Sequence, residues 1–104
     1  MEVHVNGIYS FKMNSGEEIV GKITEIVDNN TITPHYVVES PLATGMTQQG
    51  VQLMPALFTI DLNSVVNIAI SSIAMTAYPR EDLVNAYRES TTGIKVPDKQ
   101  IILG

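Results

Sequence analysis

Two histidines, His4 and His35, and no cysteine set the limits on the chemistry open to this 104-residue chain. Without cysteine there is no disulfide, no thiolate metal site and no thiol nucleophile. Glu2 and His4 share one face if their segment is extended, but two donors fall short of a metal site, so no metal is expected. Glu17 and Glu18 are neighbours on a strand-like run, point to opposite faces and cannot act as a carboxylate pair. Glu39 and Asp61 have no evident partner. The chain contains no Gly-rich phosphate loop, no Gly-x-Ser-x-Gly elbow and no His-Glu-x-x-His. The expectation is a protein that is not an enzyme and uses no cofactor. Residues of another kind remain: Asn29, Asn30, His35 and Tyr36 in one stretch, and Ser71 and Ser72 in another. Amides, an imidazole, a phenol and hydroxyls can hydrogen-bond or stack on an unpaired base. The plainer reading is turn chemistry beside a core tyrosine, with a serine pair that makes a turn.

Charge bears on that choice. Residues 1–79 hold two basic residues, Lys12 and Lys22, against seven acidic ones, while residues 80–104 hold four of each. Nucleic-acid affinity rests largely on Lys and Arg neutralising phosphates, and the first part of the chain is poor in both. The loop containing Met46, Gln48 and Gln49 has no charge at all. With 44% hydrophobic and only 16% charged residues, the chain lies far from the disordered regime and has apolar surface to hide in an assembly. The N-terminal Met1–Asn6 has neither a basic nor an apolar signal region. The longest apolar stretch, Val65 to Tyr78, is too short and too polar to span a bilayer. A cytoplasmic protein without membrane contact is expected.

The elements that must position these residues read as mostly β. Ile8 to Met13 alternates, with Tyr9, Phe11 and Met13 on one face and Ser10 and Lys12 on the other. Asn14-Ser15-Gly16 is a turn, and Glu17 to Val27 resumes as a strand. A three-residue loop pairs Phe11 with Ile19 and Lys12 with Glu18, and sets Tyr9 opposite Gly21, where a ring can cover bare backbone. A strand near Tyr36 to Ser40 should end at Pro41, and Leu42 to Gly50 should be a loop. Val51 to Ile60 is a candidate strand that Pro55 confines to an edge or a bulge. Val65–Ile70 and Ile73–Tyr78 are strands split by Ser71-Ser72. After Pro79, which suits a first helical turn, Leu83, Val84, Ala86 and Tyr87 form a helical stripe, and Gly93 marks its stop. That stripe is expected to cover the open end of the fold. The tail, Ile94 to Gly104, has strand character at Ile101 to Leu103.

The run Phe11-Lys12-Met13-Asn14-Ser15-Gly16-Glu17-Glu18-Ile19-Val20-Gly21-Lys22-Ile23 resembles the first Sm motif of Sm/LSm proteins. Gly16 and Gly21 match its two glycines, and Ile19 and Ile23 its apolar positions. Ile68-Ala69-Ile70-Ser71-Ser72-Ile73 resembles the second motif, in which a brief 3₁₀ hinge bends the last two strands; Ile60 to Val65 offers a competing alignment. An acidic chain of this length with an added C-terminal helix is also similar to the small Sm-like proteins of marine phage, cyanophage especially.

The resemblance implies one Sm-like domain over residues 1–104. It would be a strongly bent five-stranded open barrel at about 7–78, with a helix at about 79–90 and a tail over 91–104. It also implies head-to-tail strand pairing of copies into a ring, and the host cytoplasm as location. In that ring Asn29, Asn30, His35, Tyr36, Ser71 and Ser72 would line loops facing the central opening and bind single-stranded RNA or DNA. The family's RNA-binding pattern is not reproduced: Asp28 falls one place late, Thr31 stands at the motif asparagine, and Ala69 and Ile70 replace Arg-Gly. Two readings therefore stand. One is a ring-forming protein that binds single-stranded nucleic acid in its processing; the other is an assembly or adaptor protein whose ring serves only contacts with phage or host proteins.

Overall fold

The computed structural model describes residues 1–91. Along the chain run strands β1 (Ile8–Met13), β2 (Glu18–Val27), β3 (His35–Thr47), β4 (Gly50–Pro55) and β5 (Val65–Ala69). A 3₁₀ turn at Ile70–Ser72, strand β6 (Ile73–Ala77) and helix α1 (Glu81–Thr91) follow. All strand pairs are antiparallel, in the order β4-β3-β2-β1-β6, with β5 also on β3. No described helix is long and apolar enough to cross a membrane.

The first hairpin has the register its side chains dictate: Phe11 opposite Ile19, Lys12 opposite Glu18 and Tyr9 opposite Gly21. Lys12 and Glu18 are 3.5 Å apart on the solvent face. The loop closes through Gly16 N–H to the Met13 carbonyl, with Gly16 at φ 107°, a conformation open to glycine at little cost. Gly21 is filled differently from the expectation. A Cβ there would meet Val38 Cγ1 at 2.3 Å, so the side chain that crowds this bare backbone comes from β3. Tyr9 instead lies over Gly7 and accepts a hydrogen bond from His4 N–H through its hydroxyl.

Two sequence expectations fail around Pro41. The strand does not stop there, and Leu42–Gly50 is not a loop: β3 continues to Thr47 and turns through Gln48-Gln49 into β4. Proline is tolerated because it falls in a bulge. Between the pairs Val20–Leu42 and Lys22–Glu39, Gly21 alone faces both Ser40 and Pro41, so no ladder donor is needed from Pro41. Ser40 takes φ 51° to make the bend. β4 then occupies one half of the outer edge of β3 and β5 the other, separated by residues 56–64. The sheet thus has six strands rather than five. Pro55 sits at the end of β4 on the sheet edge, as its missing N–H requires.

The sheet curls over itself. A straight ten-residue strand such as β2 spans about 33 Å. Yet loops at opposite ends of β2 are tied to one 3₁₀ turn: Ile70 N–H donates to the Pro34 carbonyl (3.0 Å) and Asn14 N–H to that of Ser72 (2.8 Å). Likewise the Phe11 and Tyr36 rings lie 5.9 Å apart, although their β2 partners are Ile19 and Ile26. The curl stays open, since among the described residues no ladder joins β6 to β4 or β5.

Both faces of the curled sheet are packed. Inside it lie Tyr9, Phe11, Ile23, Val38 and Ile68. The opposite face carries Ile8, Val20, Leu42 and Leu53, covered by Leu83, Ala86 and Tyr87 of α1. The helix therefore covers the back of the sheet and not an open end, because Ile8 and Val20 alternate with the inward Tyr9 and Ile19. Pro79 lies two residues before the helix, whose first turn is closed by the Arg80 carbonyl accepting from Leu83 and Val84 N–H. Gly93 and the expected strand at Ile101–Leu103 lie outside the described residues. Leu83→Asp places an unpaired charge against this apolar face and is expected to cost about 2–3 kcal/mol, read as a lower melting temperature. An unchanged melting temperature would contradict the packing.

The Tyr87 hydroxyl completes the bend. It accepts from Lys22 N–H (3.2 Å) and donates to the Glu39 carbonyl, spanning a register pair beside the bulge. A side chain on the helix thus stands in for a ladder rung.

Candidate nucleic-acid interface

Residues 28–34 connect β2 to β3, and their conformation follows from turn-forming side chains. Asn30 adopts φ 55°, a region asparagine enters more readily than most residues. The Thr31 hydroxyl donates to the Thr33 carbonyl. Asn29 and Asn30 are both exposed.

His35 opens β3, and its Nδ1 lies 2.8 Å from the Thr33 carbonyl. A carbonyl only accepts, so Nδ1 is the donor in this contact. Tyr36 is half-buried. Its ring packs against Phe11 in the inner core, which commits much of the ring to the fold. Burial, with Asp28 and Tyr9 adding, pushes its phenol above the usual range. The phenol therefore stays protonated and able to donate.

The 3₁₀ turn brings the second group in. His35 pairs with Ala69 and Tyr36 with Ile68, so the chain leaves β5 beside loop 28–34. The bond from Ile70 N–H to Pro34 joins the two segments directly. Ser71 and Ser72 follow, both exposed. The structure therefore gathers the 29–36 residues and Ser71-Ser72 at one end of the sheet, across sequence gaps of some 40 residues.

Asn14 is a member that local sequence could not reveal, because it reads there as ordinary turn chemistry. Its backbone N–H donates to Ser72 and its side-chain amide to the Ser71 carbonyl at 2.8 Å. That use leaves its Oδ1 as an acceptor. Only the curl of the sheet, acting over 57 residues, puts Asn14 here.

The cluster is neutral to acidic. No lysine or arginine lies between Lys22 and Arg80, and Asp28 adjoins Asn29. Lys12 and Arg80 are engaged by Glu18 and Asp82. Such a surface can recognise base edges by hydrogen bonds but has little to offer a phosphate. Among the described residues no group of three or more His, Asp or Glu side chains is placed to hold a metal ion. No protein-family model matches the chain, and no curated protein matches its sequence.

Proposed function

We propose that the chain is an Sm-like, ring-forming subunit without catalytic activity. Its cluster of Asn14, Asn29, Asn30, His35, Ser71 and Ser72 would bind single-stranded nucleic acid by base edges. The observation carrying this reading is the short 3₁₀ turn between β5 and β6. It draws the ends of a curled sheet together and leaves the outer edges of β5 and β6 without a partner strand among the described residues. Such edges are templates for pairing. They carry exposed apolar groups as well: Val65 on β5, Met75 on β6 and Tyr78 just beyond it. Joining the β6 edge of one copy to the β5 edge of the next would be a heterologous contact, which gives a ring when the rotation between copies closes and an open filament when it does not. In a ring the polar clusters repeat around one opening, so contacts weak in one subunit add through multivalency.

Light scattering tests the assembly, and fluorescence anisotropy with short labelled RNA and DNA oligomers tests the site. The expected result is a closed oligomer that binds oligomers with a shallow salt dependence, as few phosphates are neutralised. His35→Ala should weaken binding about fivefold per site, the worth of one hydrogen bond near 1 kcal/mol. Saturable binding untouched by His35→Ala and Asn14→Ala would place the site elsewhere. The acidity of the cluster favours a second reading, a ring that serves only protein contacts in an assembly. No binding even at low salt would leave that reading in place of the first.

A further inference from the structure

The residues before β1 form a tight turn whose composition follows from the fold. Gly7 N–H donates to the His4 carbonyl at 3.1 Å, and Asn6, the third residue of the turn, takes φ 75°. A positive φ at that position suits glycine or asparagine and few other residues. Position 7 is glycine for a different reason: a Cβ there would lie 2.7 Å from the Tyr9 ring. The fold thus sets asparagine directly before glycine, a pair that occurs once in the chain. Glycine has no side chain to hinder attack by its amide nitrogen on the side-chain amide of the preceding residue. Asn6 is exposed, so water reaches it.

We propose that Asn6 is a modification site, where the chain deamidates spontaneously at a rate set by opening of the turn over residues 4–7. The Gly7 nitrogen bonds to the side-chain carbonyl carbon of Asn6 and closes a cyclic imide. The bond from that carbon to the side-chain nitrogen breaks, and this nitrogen leaves as ammonia, taking up the Gly7 amide proton. Water then opens the imide at either carbonyl, giving aspartate or isoaspartate. While the turn is closed, the His4 carbonyl holds Gly7 N–H and the Tyr9 hydroxyl holds His4 N–H (2.8 Å). Reaction therefore proceeds from the opened turn. Asn14, followed by Ser15, has its side-chain amide held by the Ser71 carbonyl and should react later. The isoaspartyl product changes the structure. Asn6 N–H donates to the Ile23 carbonyl (2.6 Å) and Ile23 N–H to the Gly7 carbonyl (3.0 Å), so two bonds to one residue straddle the Asn6–Gly7 link. Isoaspartate adds a methylene to that link, and both bonds cannot be kept. The N-terminal residues, with Val3 packed against the inner core, then lose their tie to β2. Aspartate leaves the main chain unaltered and keeps it.

The test is to age the full-length protein in mildly alkaline buffer, with peptide mapping by mass spectrometry and enzymatic methylation of isoaspartate. Asn6 should convert before any other asparagine, and faster in urea than in buffer. Tyr9→Phe keeps the ring but frees His4 N–H, and conversion should be about fivefold faster, the effect of losing one hydrogen bond. Asn6→Gly keeps the positive φ and should show no conversion at this position, with the melting temperature unchanged. In the isoaspartyl fraction Ile23 N–H should exchange with deuterium faster than in fresh protein, and in the aspartyl fraction it should not. First conversion at Asn14 or Asn63, or equal rates in buffer and in urea, would overturn the proposal. So would a wild-type rate in Tyr9→Phe, or an isoaspartyl fraction whose Ile23 exchange is unchanged.

Discussion

Tyr87→Ala is expected to lower stability by about 3–5 kcal/mol, the usual loss for a large buried aromatic truncated to alanine. Tyr87 is 2% exposed and is the helix's main contact with Val20, Leu42 and Leu53. For a domain whose total stability is about 5–15 kcal/mol, that loss leaves little margin. Tyr87→Phe separates packing from hydrogen bonding. It keeps the ring but strands Lys22 N–H and the Glu39 carbonyl, which no longer have the hydroxyl between them. About 1–3 kcal/mol is expected for that alone, measured by urea unfolding at neutral pH.

The same hydroxyl predicts a pH dependence. Burial pushes the Tyr87 phenol up to about 12, against an ordinary value near 10; the nearby Glu39 adds to this and the Lys22 N–H opposes it. A group whose folded-state pKa is raised contributes its stability fully below the unfolded value and loses it as pH climbs through the folded one. The contribution should therefore be intact below pH 10 and be lost between about pH 10 and 12. At full extent it is about 2–3 kcal/mol. Wild type should fall toward Tyr87→Phe over that range. A constant difference between the two would refute the assignment.

Gly21→Ala is the second large effect, expected to destabilise by about 2–3 kcal/mol through overpacking. The new methyl would lie 2.3 Å from Val38 Cγ1, a separation that forces Val38 or the strand to move. Val38 is fully buried and Gly21 sits at the bulge, so neither neighbour yields freely. The remedy identifies the cause. In Gly21→Ala with Val38→Ala, the clashing atom is gone, and the double variant should be more stable than the two single losses added together. Strict additivity in a thermal-unfolding cycle would show that Gly21 is needed for backbone conformation instead of space.

How much of this could be read in advance depended on the range of the interaction. The β1–β2 register was legible because alternation, a Gly16 turn and the Lys12–Glu18 pair all lie within a dozen residues and agree. The split of β5 from β6 at Ser71-Ser72 was legible for the same reason. Pro41 misled because a proline ends a strand unless a bulge absorbs it, and that bulge is made with Gly21, twenty residues away. The uncharged 42–50 stretch looked like a loop for want of strong local preference. Its pairing with β2 and β4 supplied the order instead.

The candidate site divides in the same way. The polar character of residues 29–36 and 71–72 is a property of composition, visible in the chain itself. Their meeting, the arrival of Asn14 and the commitment of the Tyr36 ring to Phe11 are not. Sequence alone determined a mostly β chain with one C-terminal helix, a defined first hairpin and few groups able to bind phosphate, since local alternation and charge counts suffice for these. Tertiary structure alone decided the curl that joins loops 57 residues apart, the helix on the back of the sheet and the Tyr87 rung at the bulge. These depend on backbone groups left unpaired by one segment and satisfied by another far along the chain, and no local pattern encodes which will meet.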